Sequence, residues 1–124
     1  MKSIKKLYLN SGLITEDDYV KVRDRLWIKS GPYKRQSWDY EDESILPTKE
    51  ESYEIYLKVQ ELIQIQEACK LKSLKRISID DYPLVWSSTE YNSYVIWTQN
   101  LSDGFQGTVN KKGYGWVVPV RRTP

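Results

Sequence analysis

The sequence predicts one α+β domain that spans residues 1–124. Three observations support this prediction. The length suits a single core, an amphipathic segment with a helix-capping signal lies in the middle of the chain, and short segments rich in Val, Ile, Trp and Tyr follow it. Helices and antiparallel strands that are separated along the chain favour the α+β class. We therefore expect an N-terminal strand, two helices and then a C-terminal antiparallel sheet.

The first elements are predicted to be a strand and a helix. Residues 4–9, Ile-Lys-Lys-Leu-Tyr-Leu, are typical of a short strand, and the Asn-Ser-Gly sequence at 10–12 would close it. A helix is expected to begin at Thr15, because Thr15 and Asp18 have the spacing of a capping box. The Gly-Pro pair at 31–32 would end this helix.

The second helix has the strongest start signal in the sequence. It follows a polar, acidic segment at 33–45, which is expected to be a loop anchored by Trp38. Thr48 and Glu51 then form a second capping box. Apolar residues recur after it at helical spacing along one face, as in a helix that packs on a core. They are Ile55, Val59, Leu62, Ile63 and Cys69.

Four strands are predicted to build the C-terminal half. Their segments are rich in β-branched and aromatic residues and lie at 84–88, 94–101, 105–110 and 114–121. Turn sequences at 102–104 and 111–113, each ending in glycine, are expected to join the last three strands as consecutive hairpins. Pro119 lacks a backbone N–H, so it favours an edge or a bulge in its strand.

Composition argues against several function classes. The chain has no His and a single Cys, so it lacks the usual general base, an internal disulfide and clustered zinc ligands. A net charge of only +2, from 19 basic and 17 acidic side chains, argues against nucleic-acid binding. No segment has the length and apolar character of a membrane span. We therefore expect a protein without enzymatic activity, metal or cofactor.

The N-terminus and the aromatic content bear on location and on binding. Residues 1–6 lack the apolar stretch of a signal peptide, so the chain is expected to be made and to fold in a reducing cytoplasm. The chain has ten Tyr and five Trp against one Phe, and ten Tyr are more than a core of this size needs. Because Tyr and Trp combine an apolar body with a polar tip, they suit interfaces as well as cores.

Several motifs resemble those of a known family. Leu-Pro-Thr-Lys-Glu-Glu at 46–51 is followed by Trp-Ser-Ser-Thr-Glu at 86–90, and Val-Val-Pro-Val-Arg at 117–121 closes the pattern. Between them lie Ile-Trp at 96–97 and Leu-Ser-Asp-Gly at 101–104. In this combination the motifs resemble the collagen-like adhesin C-terminal domain family, also called the Lcl C-terminal type.

The resemblance covers residues 45–122 by motif and residues 1–44 only by element order. It implies a C-type-lectin-like fold in which the first and last strands pair. It also implies ligand binding rather than catalysis, and similar sequences occur in adhesins, in variable proteins of diversity-generating retroelements and in phage receptor-binding proteins. The chain departs from the family at Val118, where Arg is usual, and it lacks the Glu-Pro-Asn type of motif for calcium-dependent sugar binding.

The candidate ligand contacts lie in the loops and on the strands of the C-terminal half. Aromatic and amide side chains together supply rigid contact area and adaptable hydrogen bonds. The candidates are Glu90, Tyr91, Asn92, Tyr94, Gln99, Phe105, Gln106, Asn110, Tyr114 and Trp116. Trp86 and Trp97 are instead expected to pack in the core, and residues 87–89 to satisfy backbone groups. An ordinary solvated sheet face is the alternative for the candidates.

Three functional hypotheses stay open at this point. The first is a recognition module of a phage or mobile element, which binds a carbohydrate or protein receptor and is carried in a virion with partner virion proteins. The second is an assembly protein whose aromatic sheet is permanently buried against a partner or a homo-oligomer mate. The third is an intracellular inhibitor that docks on a host protein. Each hypothesis places the aromatic residues of the C-terminal half at an interface.

Overall fold

The computed structural model describes residues 4–38 and 43–124. Within them the chain is mixed α+β, as expected, with four α-helices and eight strands in two sheets. The helices are α1 (Ile4–Asn10), α2 (Lys49–Leu57), α3 (Val59–Ala68) and α4 (Ser73–Ser78), and a 3-10 helix spans Glu43–Ile45. The strands are β1 (Tyr19–Arg23), β2 (Leu26–Lys29), β3 (Lys34–Gln36), β4 (Leu84–Glu90), β5 (Val95–Asn100), β6 (Gln106–Asn110), β7 (Gly115–Val117) and β8 (Val120–Arg122).

The strands form one small and one larger sheet. The small sheet has the order β1-β2-β8, and the larger has the order β3-β7-β4-β5-β6. Neighbouring strands are antiparallel, except that β7 runs parallel to β4. Strands β3 and β6 are therefore the two edges of the larger sheet.

The N-terminal segment is a helix, so the strand predicted at residues 4–9 is wrong. Ile4, Leu7 and Tyr8 also have helical spacing, and Tyr8 packs against the core. Gly12 has a φ of 76°, the left-handed conformation that commonly follows the end of a helix. The Asn-Ser-Gly turn signal therefore marks the end of a helix and not of a strand.

The helix predicted after Thr15 is also wrong, because this segment forms the β1–β2 hairpin. Buried and less buried side chains alternate along both strands, as expected for a sheet with one face on the core. The buried side chains are Val20, Val22, Leu26 and Ile28. The Thr15 hydroxyl accepts a hydrogen bond from Tyr19 N at 2.9 Å, so it closes a turn before β1 and caps no helix.

The loop predicted at 33–45 is only partly a loop. Lys34–Gln36 form β3 within it, and its residues 39–42 lie outside the described part of the chain. Trp38 is buried, as the proposed anchor of this segment should be.

The central capping box is confirmed at the start of α2. The Thr48 hydroxyl accepts the Glu51 N–H at 3.1 Å, and a Glu51 carboxylate oxygen accepts the Thr48 N–H at 2.9 Å. The single helix predicted here is divided at Lys58 into α2 and α3. Cys69, which follows α3, is half-buried, and α4 was not predicted.

The C-terminal half confirms the predicted strands β4, β5 and β6 and the hairpin that joins β5 to β6 through residues 102–104, but not the hairpin predicted after it. The segment predicted at 114–121 is divided into β7 and β8, because Pro119 cannot donate to a strand ladder. Strand β7 lies beside β4 and not beside β6, so the turn at 111–113 makes no hairpin. Strand β8 pairs with β2, which means that the first strand of the chain does not pair with the last.

Two apolar clusters hold the sheets and helices together. The larger cluster packs α2, α3 and α4 against both sheets. The smaller cluster contains Trp38, Leu46, Trp86 and Ile96, and it lies on the other face of the five-stranded sheet because strand side chains alternate between faces. Trp86 is fully buried, as predicted. Gly115 lets β7 approach it, since a Cβ there would lie 2.7 Å from the indole ring.

Candidate functional site

Exposed aromatic side chains lie at one end of the five-stranded sheet, in the loop between β4 and β5. Tyr91 is 62% exposed and Tyr94 is 74% exposed. The loop is ordered by hydrogen bonds, since Tyr91 N donates to Val95 O at 2.9 Å and Tyr94 N donates to Asn92 Oδ1 at 2.8 Å. Two exposed rings are therefore held on a fixed backbone beside the exposed Asn92.

Trp97 belongs to this surface, so its predicted place in the core is wrong. It is half-buried on β5, between the buried residues Ile96 and Thr98, which point to the other face. The Tyr91 ring meets it edge-on, with 5.7 Å between centroids and 84° between planes. The ammonium of Lys49 lies 3.6 Å from the Trp97 ring centroid. We call these three residues, Lys49, Tyr91 and Trp97, the Trp97 patch.

The backbone of Lys49 is fixed to the sheet, which explains how the first residue of α2 reaches Trp97. Its N–H donates to Thr89 Oγ1 at 2.9 Å, and its carbonyl accepts from Gln106 Nε2 at 2.8 Å. Ser87 Oγ donates to Trp97 O at 2.6 Å. The predicted role in satisfying backbone groups is thus confirmed for Ser87 and Thr89.

Two of the predicted ligand contacts, Gln99 and Gln106, are structural. Gln99 is fully buried, and its Oε1 accepts from Gln106 Nε2 at 2.9 Å. The same Gln106 amide bonds to the start of α2, as described above. These side chains fasten α2 to β5 and β6, and Gln99 has no surface to offer a ligand.

Glu90 lies near the loop but is engaged by a buried lysine. Its carboxylate lies 3.1 Å from Lys111 Nζ, and the Lys111 side chain is only 5% exposed. The Lys111 ammonium also lies 4.9 Å from the Trp38 ring centroid. Because a buried ammonium needs a counter-charge, Glu90 serves the fold here, and its remaining exposed surface borders the loop.

Three further candidates lie away from the patch. Phe105 is 69% exposed at the opposite end of β6. Tyr114 is exposed beside β3, where the Arg35 guanidinium lies 5.9 Å from its ring and 5.9 Å from that of Tyr82. Trp116 packs partly against the larger cluster. The predicted set is therefore divided among several places, and only Tyr91, Asn92, Tyr94 and Asn110 lie with Glu90 at one end of the sheet.

Sequence reasoning missed Lys49 and assigned Trp97 to the wrong environment. Lys49 follows the capping residue of α2 but carries no signal of its own, because its aromatic partner is far along the chain. For Trp97 a signal exists in the alternation of β5. If Ile96 is placed in the core, Trp97 must point to the opposite face.

An open groove elsewhere on the surface has its charges paired. It has a volume of about 580 Å³ and is lined by residues of α1, β1 and α3. The ammonium of Lys21 lies 3.3 Å from the Asp24 carboxylate, and that of Lys58 lies 4.0 Å from Glu61. Arg23, which also lines the groove, is held by the Glu54 carboxylate at 2.6 Å, so these charged groups are paired within the chain.

The described residues also define the chemistry around the candidate site. Among them, no three acidic, cysteine or histidine side chains are placed to hold a metal ion. No helix in the same part of the chain is both long and apolar enough to cross a bilayer.

The fold and the Trp97 patch together define a mixed α+β protein with an exposed aromatic cluster at one end of its larger sheet. Neither a scan against protein-family models nor a search of the curated proteins finds a match to the chain. The geometry of the patch is therefore the basis for its functional assignment.

Proposed function

We propose that the protein is a non-enzymatic recognition module that binds a carbohydrate or protein receptor through the Trp97 patch and the β4–β5 loop. The observation that carries this proposal is the exposure of Tyr91 and Tyr94 on a hydrogen-bonded loop, beside a tryptophan fixed by two neighbours. Large aromatic rings are usually mostly buried. Rings held in water by a rigid support are typical of binding surfaces.

The patch is preorganised, which lowers the entropic cost of binding. The edge-on contact fixes the Tyr91 ring against Trp97, and such aromatic pairs contribute about 0.5–1.5 kcal/mol. The Lys49 ammonium over the indole adds about 0.5–1 kcal/mol at an exposed site. A ligand therefore meets aromatic surface whose geometry is set before it arrives.

The surroundings of the patch suit a saccharide. The exposed amide of Asn92 lies in the same loop, and Asn110 is exposed opposite Val95 on the neighbouring strand. A sugar ring presents apolar C–H groups on one face and hydroxyls at its rim, so it can stack on a tyrosine ring while amides bond its hydroxyls. The same parts suit a protein receptor that offers polar loops.

The resemblance stated from the sequence motifs supplies the biological setting of the proposal. In that setting the domain is part of a phage or mobile-element particle and contacts a receptor on its surface. The absence of His and the single Cys in the sequence support recognition over catalysis.

We expect the double variant Tyr91→Ala/Tyr94→Ala to lose receptor binding by about tenfold or more, because each truncated hot-spot ring costs more than about 1 kcal/mol. Binding is measured on a glycan array and on host-cell surfaces. The matched control is Tyr82→Ala/Tyr114→Ala, which removes two exposed rings beside β3, at the other edge of the sheet. The proposal would be contradicted if the control variant lost binding while Tyr91→Ala/Tyr94→Ala kept it. It would also be contradicted if the wild type bound nothing in either assay.

A further inference from the structure

Lys49 brings a positive charge to the Trp97 patch that no described acid balances. Its side chain is half-buried, and its ammonium lies against the Trp97 ring. Within the described part of the chain, no carboxylate lies within 4.0 Å of this ammonium. Glu90, the acid at this end of the sheet, is held by Lys111 at 3.1 Å. Glu50 follows in the helix, where successive residues do not face each other.

The charge of Lys49 is not needed to hold α2 in place. The residue is the first of α2, and the positive end of the helix dipole disfavours a cation at this position. The hydrogen bonds to Thr89 and Gln106 that fix the start of the helix come from the Lys49 backbone, so another residue could make them. The N–H groups of the ammonium that point away from the indole are therefore available to an acceptor on a ligand.

The two exposed amides near the patch also have their donor groups free. Asn92 Oδ1 accepts from Tyr94 N at 2.8 Å, and Asn110 Oδ1 accepts from Lys112 N at 2.9 Å. Each amide oxygen thus serves the backbone of its own turn. The Nδ2 group is the free end of each side chain, and it can only donate. The free polar groups of Lys49, Asn92 and Asn110 are therefore all donors.

The course of α2 over the sheet explains why these donors lie at one end. Lys49 lies on the Trp97 ring, and the Tyr56 ring lies beside Gly104, where a Cβ would be 2.4 Å from Tyr56 Cε2. Helix α2 therefore runs along β5, from the patch toward the β5–β6 turn. Its first turn faces the β4–β5 loop, at the end of the sheet where both amides and the exposed tyrosine rings lie.

We propose that the ligand of the Trp97 patch is an acidic saccharide, a sugar that carries a carboxylate. This inference rests on the proposed function and adds the class of ligand to it. An ionised carboxylate only accepts hydrogen bonds, so it complements the Lys49 ammonium in charge, and such a charge-assisted bond is about twice as strong as a neutral one. The sugar hydroxyls accept from Asn92 and Asn110, and the C–H face of the sugar packs on an exposed tyrosine ring.

The surface around the rings favours a saccharide over an acidic protein segment. Its exposed side chains are amides and hydroxyls, which belong to Asn92, Ser93, Thr108 and Asn110. Such groups bond readily to the many hydroxyls of a sugar. The buried core of a protein interface is by contrast mostly apolar, and aliphatic side chains are missing from this set.

The test compares acidic saccharides with their uncharged counterparts. A glycan array supplies two kinds of matched pair: sialylated glycans with and without the sialic acid, and oligogalacturonates with and without methyl esters on their carboxylates. The affinities of the pair that binds best are then measured by titration of the full chain. We expect the wild type to bind the acidic member about fivefold more tightly or better. Added salt should reduce this preference, because it screens exposed charges.

Lys49→Met should abolish the preference. Methionine keeps an apolar contact with Trp97 but lacks the charge, so the acidic saccharide should bind about fivefold more weakly while the affinity for the uncharged one stays the same. A general distortion of the patch would weaken both. Lys49→Arg should keep the preference. Lys72→Met, which removes an exposed charge before α4, is the control for net charge and should bind both saccharides as the wild type does.

Two results would overturn the acidic saccharide and leave the proposed function standing. One is a wild type that binds both members of every pair equally, or a preference that persists in Lys49→Met. The other is binding to a cell-surface protein that survives removal of its glycans while no saccharide binds, which would identify a protein as the ligand. A wild type that binds neither saccharides nor cell surfaces would contradict the proposed function itself.

Discussion

Replacing Gln66 by leucine is expected to lower the free energy of unfolding by about 3 kcal/mol, since two buried backbone groups, Ser30 O and Leu74 N, lose a partner at about 1–3 kcal/mol each before relaxation. Gln66 is almost fully buried in α3. Its Nε2 donates to Ser30 O at 3.1 Å and to Tyr33 Oη at 2.9 Å, and its Oε1 accepts from Leu74 N at 2.9 Å. One amide thereby ties α3 to the end of β2 and to α4.

The matched control for this variant is Gln64→Leu, two residues earlier in the same helix. Gln64 is exposed, so the same chemical change removes no buried hydrogen bond and should alter stability by less than about 0.5 kcal/mol. Urea denaturation of both variants measures the difference. If both variants unfold at the same urea concentration, the Gln66 amide does not stabilise the contact of α3 with the end of β2 and with α4.

Glu51→Ala is expected to cost about 2–3 kcal/mol, because one carboxylate performs two tasks. The carboxylate closes the capping box of α2. It also forms a bidentate ion pair with Arg122, in which it accepts hydrogen bonds from Nη2 at 2.5 Å and from Nε at 2.8 Å. Arg122 also donates to Ser44 O and Leu46 O, both at 3.0 Å. The pair thus joins the last strand to the segment before α2.

Glu50→Ala is the control for this carboxylate, and pH supplies a second measurement. Glu50 is exposed in the same helical turn, so its loss should change stability by less than about 0.5 kcal/mol.

Burial raises the pKa of Glu51, but the hydrogen bonds from Arg122 and Thr48 outweigh it and hold the pKa below the usual 4.5. At pH values near and below 4.5, the Glu51 carboxylate therefore binds a proton more readily in the unfolded chain than in the folded chain.

The stability that Glu51 supplies is therefore fully present above pH 4.5 and is lost as the pH falls through the lower folded value. The difference in the free energy of unfolding between wild type and Glu51→Gln should therefore become smaller as the pH is lowered below 4.5. A difference that stays constant, or one that grows with acidity, would contradict the assigned role of the ion pair.

Local signals were enough to predict the parts of the fold that depend on neighbouring residues. The capping box of Thr48 and Glu51 was predictable because its hydrogen bonds span three residues. Strands β4, β5 and β6 followed from their β-branched and aromatic residues. The β1–β2 hairpin was not predicted, because Tyr19, Val22 and Leu26 also fit one face of a helix. The pairing of β2 with β8 arises from contacts that no local pattern reveals.

The candidate site could be predicted only in part for the same reason. Tyr91 and Tyr94 lie in a polar loop whose exposure is a local property. Trp97 and Lys49 meet because α2 starts on top of β5, a long-range arrangement. Gln99 is a residue type that is common at binding surfaces, but it is fully buried on β5.

The central claim is that the Trp97 patch contacts the receptor, and the indole N–H signals test it most directly. In a two-dimensional ¹H–¹⁵N NMR titration with the glycan or receptor fragment that binds best, the Trp97 signal should shift and saturate. The signals of Trp38 and Trp86, whose indole N–H groups donate to Ser87 O at 3.0 Å and Gln36 O at 2.8 Å inside the smaller cluster, should not move. A Trp97 signal that stays in place while the ligand binds would contradict the account.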